Sequence, residues 1–270
     1  MGKEYVFAVH PLHNPVHLFE VYGPLVNYLN RNIPGVTFRL EASRNYEAFE
    51  QRLYARRFDF ALPNPYQTLH ALDHGYHVIA KMGDDHKFAG IILVRRDSGI
   101  KNVTDLKGKK VAYTAKTALA AAMMPQYYLQ THGLDVNRDI ESLYVGSQES
   151  SIMNVYLGNV AAGATWPIPW EAFREEHPDM ARELEVKWQT TPLINNGVVA
   201  RDDVPGALAG RVAQLLDTLH TTEEGKAILA RIPLSRFELA DDRRYAVIKS
   251  FLREFARTVR PLEEEERGAR

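Results

Sequence analysis

Strand-like and helical segments alternate along the first third of the chain, and this rhythm limits the folds open to it. YVFAVH (5–10) is a β-rich apolar run. HLFEVYGPLVNYLNRNI then places Leu18, Val21, Leu25, Tyr28 and Leu29 on one helical face. Pro34-Gly35 stops that helix, and VTFRLEAS reads as a second strand. NYEAFEQRLYARR is an amphipathic helix with Asn45 as its cap. FDFALPNP is a third strand, YQTLHALDHG a helix closed by Gly75, and YHVIAKMG a fourth strand. Alternation at this spacing predicts parallel βαβ units with helices on both faces of the sheet.

At FAGIILVRRDSGI the rhythm breaks, because a long strand arrives with no helix before it. New βα units follow: KKVAYTA, a helix from Thr117 to about His132, SLYVGS, QESSIMNVYLG, VAAGAT and a helix after Pro169. LEVKWQT and LINNGVVARDD are two further strands. After Pro205 the pattern is helical to about Val259, and RPLEEEERGAR reads as a charged, frayed tail.

The two strands GIILVRRD and NGVVARDD resemble each other and bracket roughly 100 residues of self-contained α/β pattern, enough for a domain. The economical division is an outer lobe of residues 1–92 plus 196–270 and an inner lobe of 93–195. Two strands crossing between lobes make a hinge, and the space between lobes makes a cleft that closes on a small ligand.

The charge balance agrees with such a ligand rather than a polyanion. Lys plus Arg is 33 and Asp plus Glu is 34 in 270 residues. No strongly basic face is implied, so nucleic acid is not an expected partner. The longest apolar run, TALAAAMM, is far too short to span a bilayer. There is no cysteine, which excludes disulfides and thiolate metal sites. MGKEYVF begins a strand at once without a signal peptide, and Met1-Gly2 reads as a cloning remnant on a mature N-terminus. No G-x-S-x-G, P-loop or dinucleotide fingerprint is present, so the chain reads as no enzyme and as needing no cofactor.

SRNYEAFEQRLYARRFDFALPNPYQTLHA, DLKGKKVAY, MPQYYLQTHGLD and VGSQESSIMNVYLGNVAAGAT occur in that order. Together they resemble the phosphate/phosphite/phosphonate group of periplasmic substrate-binding proteins of ABC importers, over about Tyr5 to Phe255. The resemblance implies a two-lobed type II periplasmic-binding-protein fold of the α/β class, each lobe a mainly parallel sheet flanked by helices. It also implies a monomer in the periplasm that takes a small, anionic ligand to an ABC permease. The same fold serves as an input module for a membrane sensor kinase or cyclase, and the sequence does not separate the two.

Ligands in α/β lobes sit beyond the carboxyl ends of the strands, at helix N-termini that favour anions. The loops concerned are His10–Asn14, Ser43–Tyr46, Pro63–Tyr66, Thr114–Leu119 and Ser147–Ser151. Tyr46 falls where the family places a ligand-contacting tyrosine, and Asn64 and Tyr66 at another contact region; an aromatic with a polar tip suits a half-wet cleft. The family's Ser-Thr-Ser run is replaced by Ala118-Leu119-Ala120, leaving Thr114, a charge from Lys116 and a helix cap from Thr117. Gln148 stands at a family histidine position, with Glu149 retained and Ser150 beside it. Asn196 stands where an acidic residue would pair with a ligand amino group. These changes argue against 2-aminoethylphosphonate as ligand.

The histidines of HPLHNPVH (10–17) could hold a metal, line the cleft or be solvated. Zinc needs three or four converging ligands, and no H-E-x-x-H accompanies them. His10, His13 and Asn14 are therefore read as cleft lining, and a metal site is not expected. Asp84, Asp85 and His86 read as a solvated loop, and Trp166 and Trp170 as lining the cleft or bracing the hinge.

Overall fold

The structure, a computed structural model, describes residues 2–263; the rest of the expected charged tail lies outside them. Eleven strands and ten α-helices form two sheets among the described residues. No helix there is long and apolar enough to cross a membrane. The chain divides into two compact units, Met1–Asp85 with Ile194–Ile248, and His86–Leu193 with Lys249–Arg270.

In the first unit the strands are β1 (Lys3–Val9), β2 (Val36–Glu41), β3 (Phe60–Leu62), β4 (Tyr76–Met82), β10 (Gly197–Arg201) and β11 (Phe237–Leu239), in the order β11-β4-β10-β3-β1-β2. β1 pairs in parallel with β2 and β3. The βαβ reading of β3 and β4 needs one correction. The two are not neighbours, because β10 enters between them and pairs antiparallel with both. Gly197 opens β10 where a Cβ would come within 2.8 Å of Thr68 Cγ2, so only glycine lets the helix carrying Thr68 approach the strand.

The helices of this unit are α1 (Pro15–Asn32), α2 (Tyr46–Tyr54), α3 (Pro65–Leu72), α8 (Gly206–Asp217), α9 (Glu223–Arg231) and the start of α10 (Ala246–Thr258). α1 buries the predicted face Leu18, Val21, Leu25, Tyr28 and Leu29, each side chain contributing roughly 1.5–3 kcal/mol. Pro24 lies inside α1 and cannot donate to Glu20; Arg231 of α9 donates to that carbonyl at 3.4 Å instead. Phe60 stands at the centre of an aromatic cluster, with ring centroids 6.3 Å from Phe7 and 5.7 Å from Phe38.

The second unit's sheet has the order β7-β6-β8-β5-β9, formed by β5 (Ile91–Arg95), β6 (Lys109–Tyr113), β7 (Ile140–Tyr144), β8 (Ala162–Thr165) and β9 (Leu184–Gln189). β6, β7 and β8 are mutually parallel, and β5 runs against β8 and β9. The helices are α4 (Met124–Thr131), α5 (Gln148–Tyr156), α6 (Pro167–Glu176) and α7 (Pro178–Arg182). Gly163 lets α5 lie directly on β8, since a Cβ there would sit 2.8 Å from Ser151 O; Ser151 Oγ donates to Ala164 O at 2.7 Å.

Several sequence boundaries shift. The helix expected from Thr117 opens as a π-turn over Leu119–Met123, with Met123 N–H reaching Ala118 O at 3.1 Å. The helix placed after Pro169 begins at Pro167. The run after Pro205 is interrupted by β11, whose Phe237 is buried against Met82. The division also differs: the chain passes between units at 85/86, 193/194 and 248/249, so β5 lies wholly in the second unit, joined by residues from 249 onward. α10 carries them there, and Phe251 meets Tyr127 of α4 with ring centroids 5.6 Å apart.

Candidate functional site

In the first unit, β1, β2, β3 and β4 point their carboxyl ends to one edge of the sheet. β10 runs the other way, so Asn195 and Asn196 before it arrive at that same edge. Six of the predicted site residues from this unit stand in loops or helix starts there, together with Asn196.

His10 follows β1 and is buried. Its backbone N–H and its ring Nδ1–H both donate to Leu62 O, at 3.1 and 2.9 Å. Its ring meets Tyr46 and Phe49 edge-on. Burial lowers its pKa to about 4, against a weaker opposing effect of the Leu62 bond, so the ring is neutral with Nε2 unprotonated. His13 is half-buried, and its Nε2 is buried with no hydrogen-bond partner. Desolvation, then the nearby His17 and His10, lower its pKa to about 3. His13 and His17 rings stand perpendicular with centroids 4.4 Å apart, and His17 Nδ1 lies 3.4 Å from Glu20. Among the described residues no three His, Cys, Asp or Glu side chains come together as metal ligands.

The other predicted residues serve first as helix starts. Asn14 Oδ1 accepts the His17 N–H at 2.9 Å and caps α1. Asn64 caps α3 through a reciprocal pair with Gln67, at 2.9 and 3.0 Å. Tyr46 opens α2 and Tyr66 stands in the first turn of α3; both rings are buried, Tyr66 against His70 at 4.4 Å. The half-wet position expected for these tyrosines is thus corrected, because Tyr46 packs against His10 and Tyr66 against His70, and both are buried. Asn196 is fully buried: its N–H donates to Asn195 Oδ1 at 2.7 Å, its carbonyl accepts from Met82 N–H at 2.9 Å, and its Oδ1 has no partner. Ser43 Oγ and Thr68 Oγ1 are likewise buried without partners.

Asp84 and Asp85 stay partly exposed and His86 exposed, as expected of a solvated loop, but the two carboxylates are also engaged. Asp84 accepts from the Ser235 N–H at 2.8 Å, and Asp85 Oδ1 accepts from the Asn195 N–H at 3.0 Å and faces Lys81 Nζ at 2.8 Å. Lys81 and Asn195 escaped the sequence reading. A lysine within the apolar run YHVIAKM was the available signal, since a buried ammonium requires partners.

In the second unit, β6, β7 and β8 bring Thr114, Ser147 and Trp166 to one edge. Thr114 is fully buried and its Oγ1 has no partner, while its carbonyl accepts the Gly146 N–H at 2.8 Å. The cap position of the next helix falls on Ala118 rather than Thr117, and alanine has no side chain to cap with. Lys116 does not offer a free charge: its Nζ lies 3.4 Å from Glu263, and Arg260 donates to its carbonyl at 2.6 Å. Gln148 is buried and accepts from Thr165 Oγ1 at 2.8 Å. Glu149 lies 4.0 Å from His177, and Ser150 N–H is bound by the cap residue Ser147 at 3.0 Å. Trp166 packs edge-on against Phe88, and Trp170 stacks on Phe173; both are buried.

A family profile described as the periplasmic substrate-binding protein of phosphonate ABC transporters matches residues 7–245. A probable ABC transporter phosphite binding protein of Prochlorococcus marinus is 24% identical over 185 residues, 64% of this chain. The match spans 62% of that relative's length. Among solved structures, a binding protein component of an ABC phosphonate transporter from Pseudomonas aeruginosa superposes with a TM-score of 0.87 at 17% identity, covering 96% of this chain and 88% of that one. A phosphonate-type binding protein from Prochlorococcus marinus, solved with methylphosphonate, gives 0.85 at 19% identity over 93% and 97%. The fold is that of the type II periplasmic binding proteins.

Proposed function

Because the chain belongs to the periplasmic substrate-binding family of phosphonate ABC transporters, we propose that it is a solute-binding protein of the periplasm, monomeric in solution. In this reading it holds a small phosphate- or phosphonate-like oxyanion and hands it to an ABC permease. The observation that carries the reading is a set of buried, unpartnered polar atoms at the carboxyl edges of the sheets. They are His13 Nε2, Ser43 Oγ, Thr68 Oγ1 and Asn196 Oδ1 in the first unit and Thr114 Oγ1 in the second. Each such atom costs about 1–3 kcal/mol unless something satisfies it, and an oxyanion supplies several hydrogen-bonding oxygens. The family is one of transport, which favours import over the sensor-kinase input module.

The relatives' ligands, phosphite and methylphosphonate, are small and carry no amino group. Asn196 in place of an acid and Ala118-Leu119-Ala120 in place of hydroxyls suit such a ligand better than 2-aminoethylphosphonate. Titration calorimetry with phosphate, phosphite, methylphosphonate and 2-aminoethylphosphonate tests this. We expect phosphite or methylphosphonate to bind and 2-aminoethylphosphonate to bind least. Submicromolar 2-aminoethylphosphonate binding refutes the ligand preference, and no binding of any of the four refutes the oxyanion reading.

A further inference from the structure

Asn196 is held in place on every side but one. Its backbone N–H and carbonyl are engaged by Asn195 Oδ1 and Met82 N–H, and its Nδ2 points at Met82 Sδ at 3.6 Å. Asn195 is itself fixed, donating from Nδ2 to Gly83 O at 2.9 Å and from its N–H to Asp85. What remains is Asn196 Oδ1, a pure acceptor that is buried and unpartnered at the sheet edge. The amide is assigned with its nitrogen toward Met82 Sδ, because a flip would set oxygen against sulfur.

A fully ionised oxyanion offers only acceptors and repels this oxygen. A protonated oxyanion offers one O–H. We propose that Asn196 is a specificity-determining residue that accepts a hydrogen bond from a protonated ligand oxygen, so that the site takes the hydroxyl-bearing monoanion of a phosphonate in preference to a sulfonate of the same shape and charge. This inference rests on the oxyanion reading above.

The surroundings point the same way. The charged groups around Asn196 are committed to one another: Lys81 Nζ to Asp85 at 2.8 Å and to Glu238 at 3.4 Å. Tyr245 donates its hydroxyl proton to Asn195 O, and burial raises its pKa well above the ordinary value. His10 and His13, at the same edge, are held neutral by burial. Without an opposing cation, a monoanion is much less costly to desolvate here than a dianion.

Methylphosphonate and methanesulfonate separate the alternatives, because at mildly acidic pH both carry one negative charge and only the first has an O–H. Calorimetry on the full chain is expected to show methylphosphonate binding at least about tenfold tighter, the loss expected when a buried acceptor faces a ligand without a donor. Asn196→Leu should close most of that gap by weakening methylphosphonate, and Asn196→Asp, which keeps an acceptor at that position, should retain it. Should Asn196→Leu fail to fold by circular dichroism, the wild-type pair and Asn196→Asp still decide. Equal affinity of the wild type for both ligands, a gap that survives in Asn196→Leu, or a gap lost in Asn196→Asp overturns the inference. If the wild type binds neither, the oxyanion reading itself falls.

Discussion

Lys81 Nζ lies 2.8 Å from Asp85 Oδ1, with the lysine side chain fully buried and the aspartate 43% exposed. The lysine also donates to Met82 O at 2.6 Å and faces Glu238 at 3.4 Å. Removing the Asp85 carboxylate leaves the buried ammonium only the longer Glu238 contact and the Met82 carbonyl and strands the Asn195 N–H, whereas removing the ammonium leaves carboxylates that reach water. Asp85→Ala should therefore cost about 2–4 kcal/mol in urea unfolding, and Lys81→Met markedly less. Equal costs, or the reverse order, would contradict the charge assignment.

Acid should weaken the fold through His10 and His13. Their folded pKa values, about 4 and about 3, lie below the ordinary 6.5. The unfolded chain then binds protons that the folded chain refuses. Stability is fully present above pH 6.5 and falls as pH drops toward 4 and then 3, by up to about 1.4 kcal/mol per pH unit for each ring. His13→Gln should flatten the profile of unfolding free energy between pH 6 and 4; an unchanged slope would refute the assignment.

Tyr46 is only 3% exposed and its ring stands 6.0 Å from that of His10. Truncating it opens a cavity as well as altering the site. Tyr46→Ala should cost about 3 kcal/mol of stability, and Tyr46→Phe little. A melting curve for Tyr46→Ala coincident with wild type would return the ring to a wet, purely ligand-facing role.

Arg260 braces the Lys116 loop from below. It donates to Lys116 O at 2.6 Å and Gln126 Oε1 at 3.2 Å, and Gln126 donates to Tyr144 OH at 2.9 Å. Arg260→Met removes two charge-assisted bonds, each worth about 1.5–3 kcal/mol. Amide exchange across residues 115–118 should quicken roughly tenfold or more, while exchange in β8 stays unchanged. Unchanged exchange in the loop would show that it is held by other means.

What could be read from the sequence followed local physics. The face of α1, the Asn45 cap and most strands were legible, because periodicity and capping chemistry act within a few residues. The insertion of β10 between β3 and β4 was not, since strand order depends on contacts about 120 residues apart. Tyr46 was misjudged because an amphipathic side chain suits a wet rim and a buried helix junction equally. Lys116 was assigned a free charge because Glu263 is far away in sequence, and Thr117 was given a cap that falls one residue later.

The neutrality of His10, His13 and the Lys81 cluster at the first sheet's edge has a kinetic consequence. His10 and His13 are uncharged, and the nearest buried lysine has its carboxylates, as Lys116 has Glu263 in the second unit. Groups that are neutral or already paired exert little pull on an approaching ligand, so dissolved salt has little of their field to screen. Affinity and association rate for an anion should stay nearly flat from low to physiological ionic strength. Discrimination then rests on hydrogen-bond geometry, which the chloride and sulfate of a salty environment do not erode.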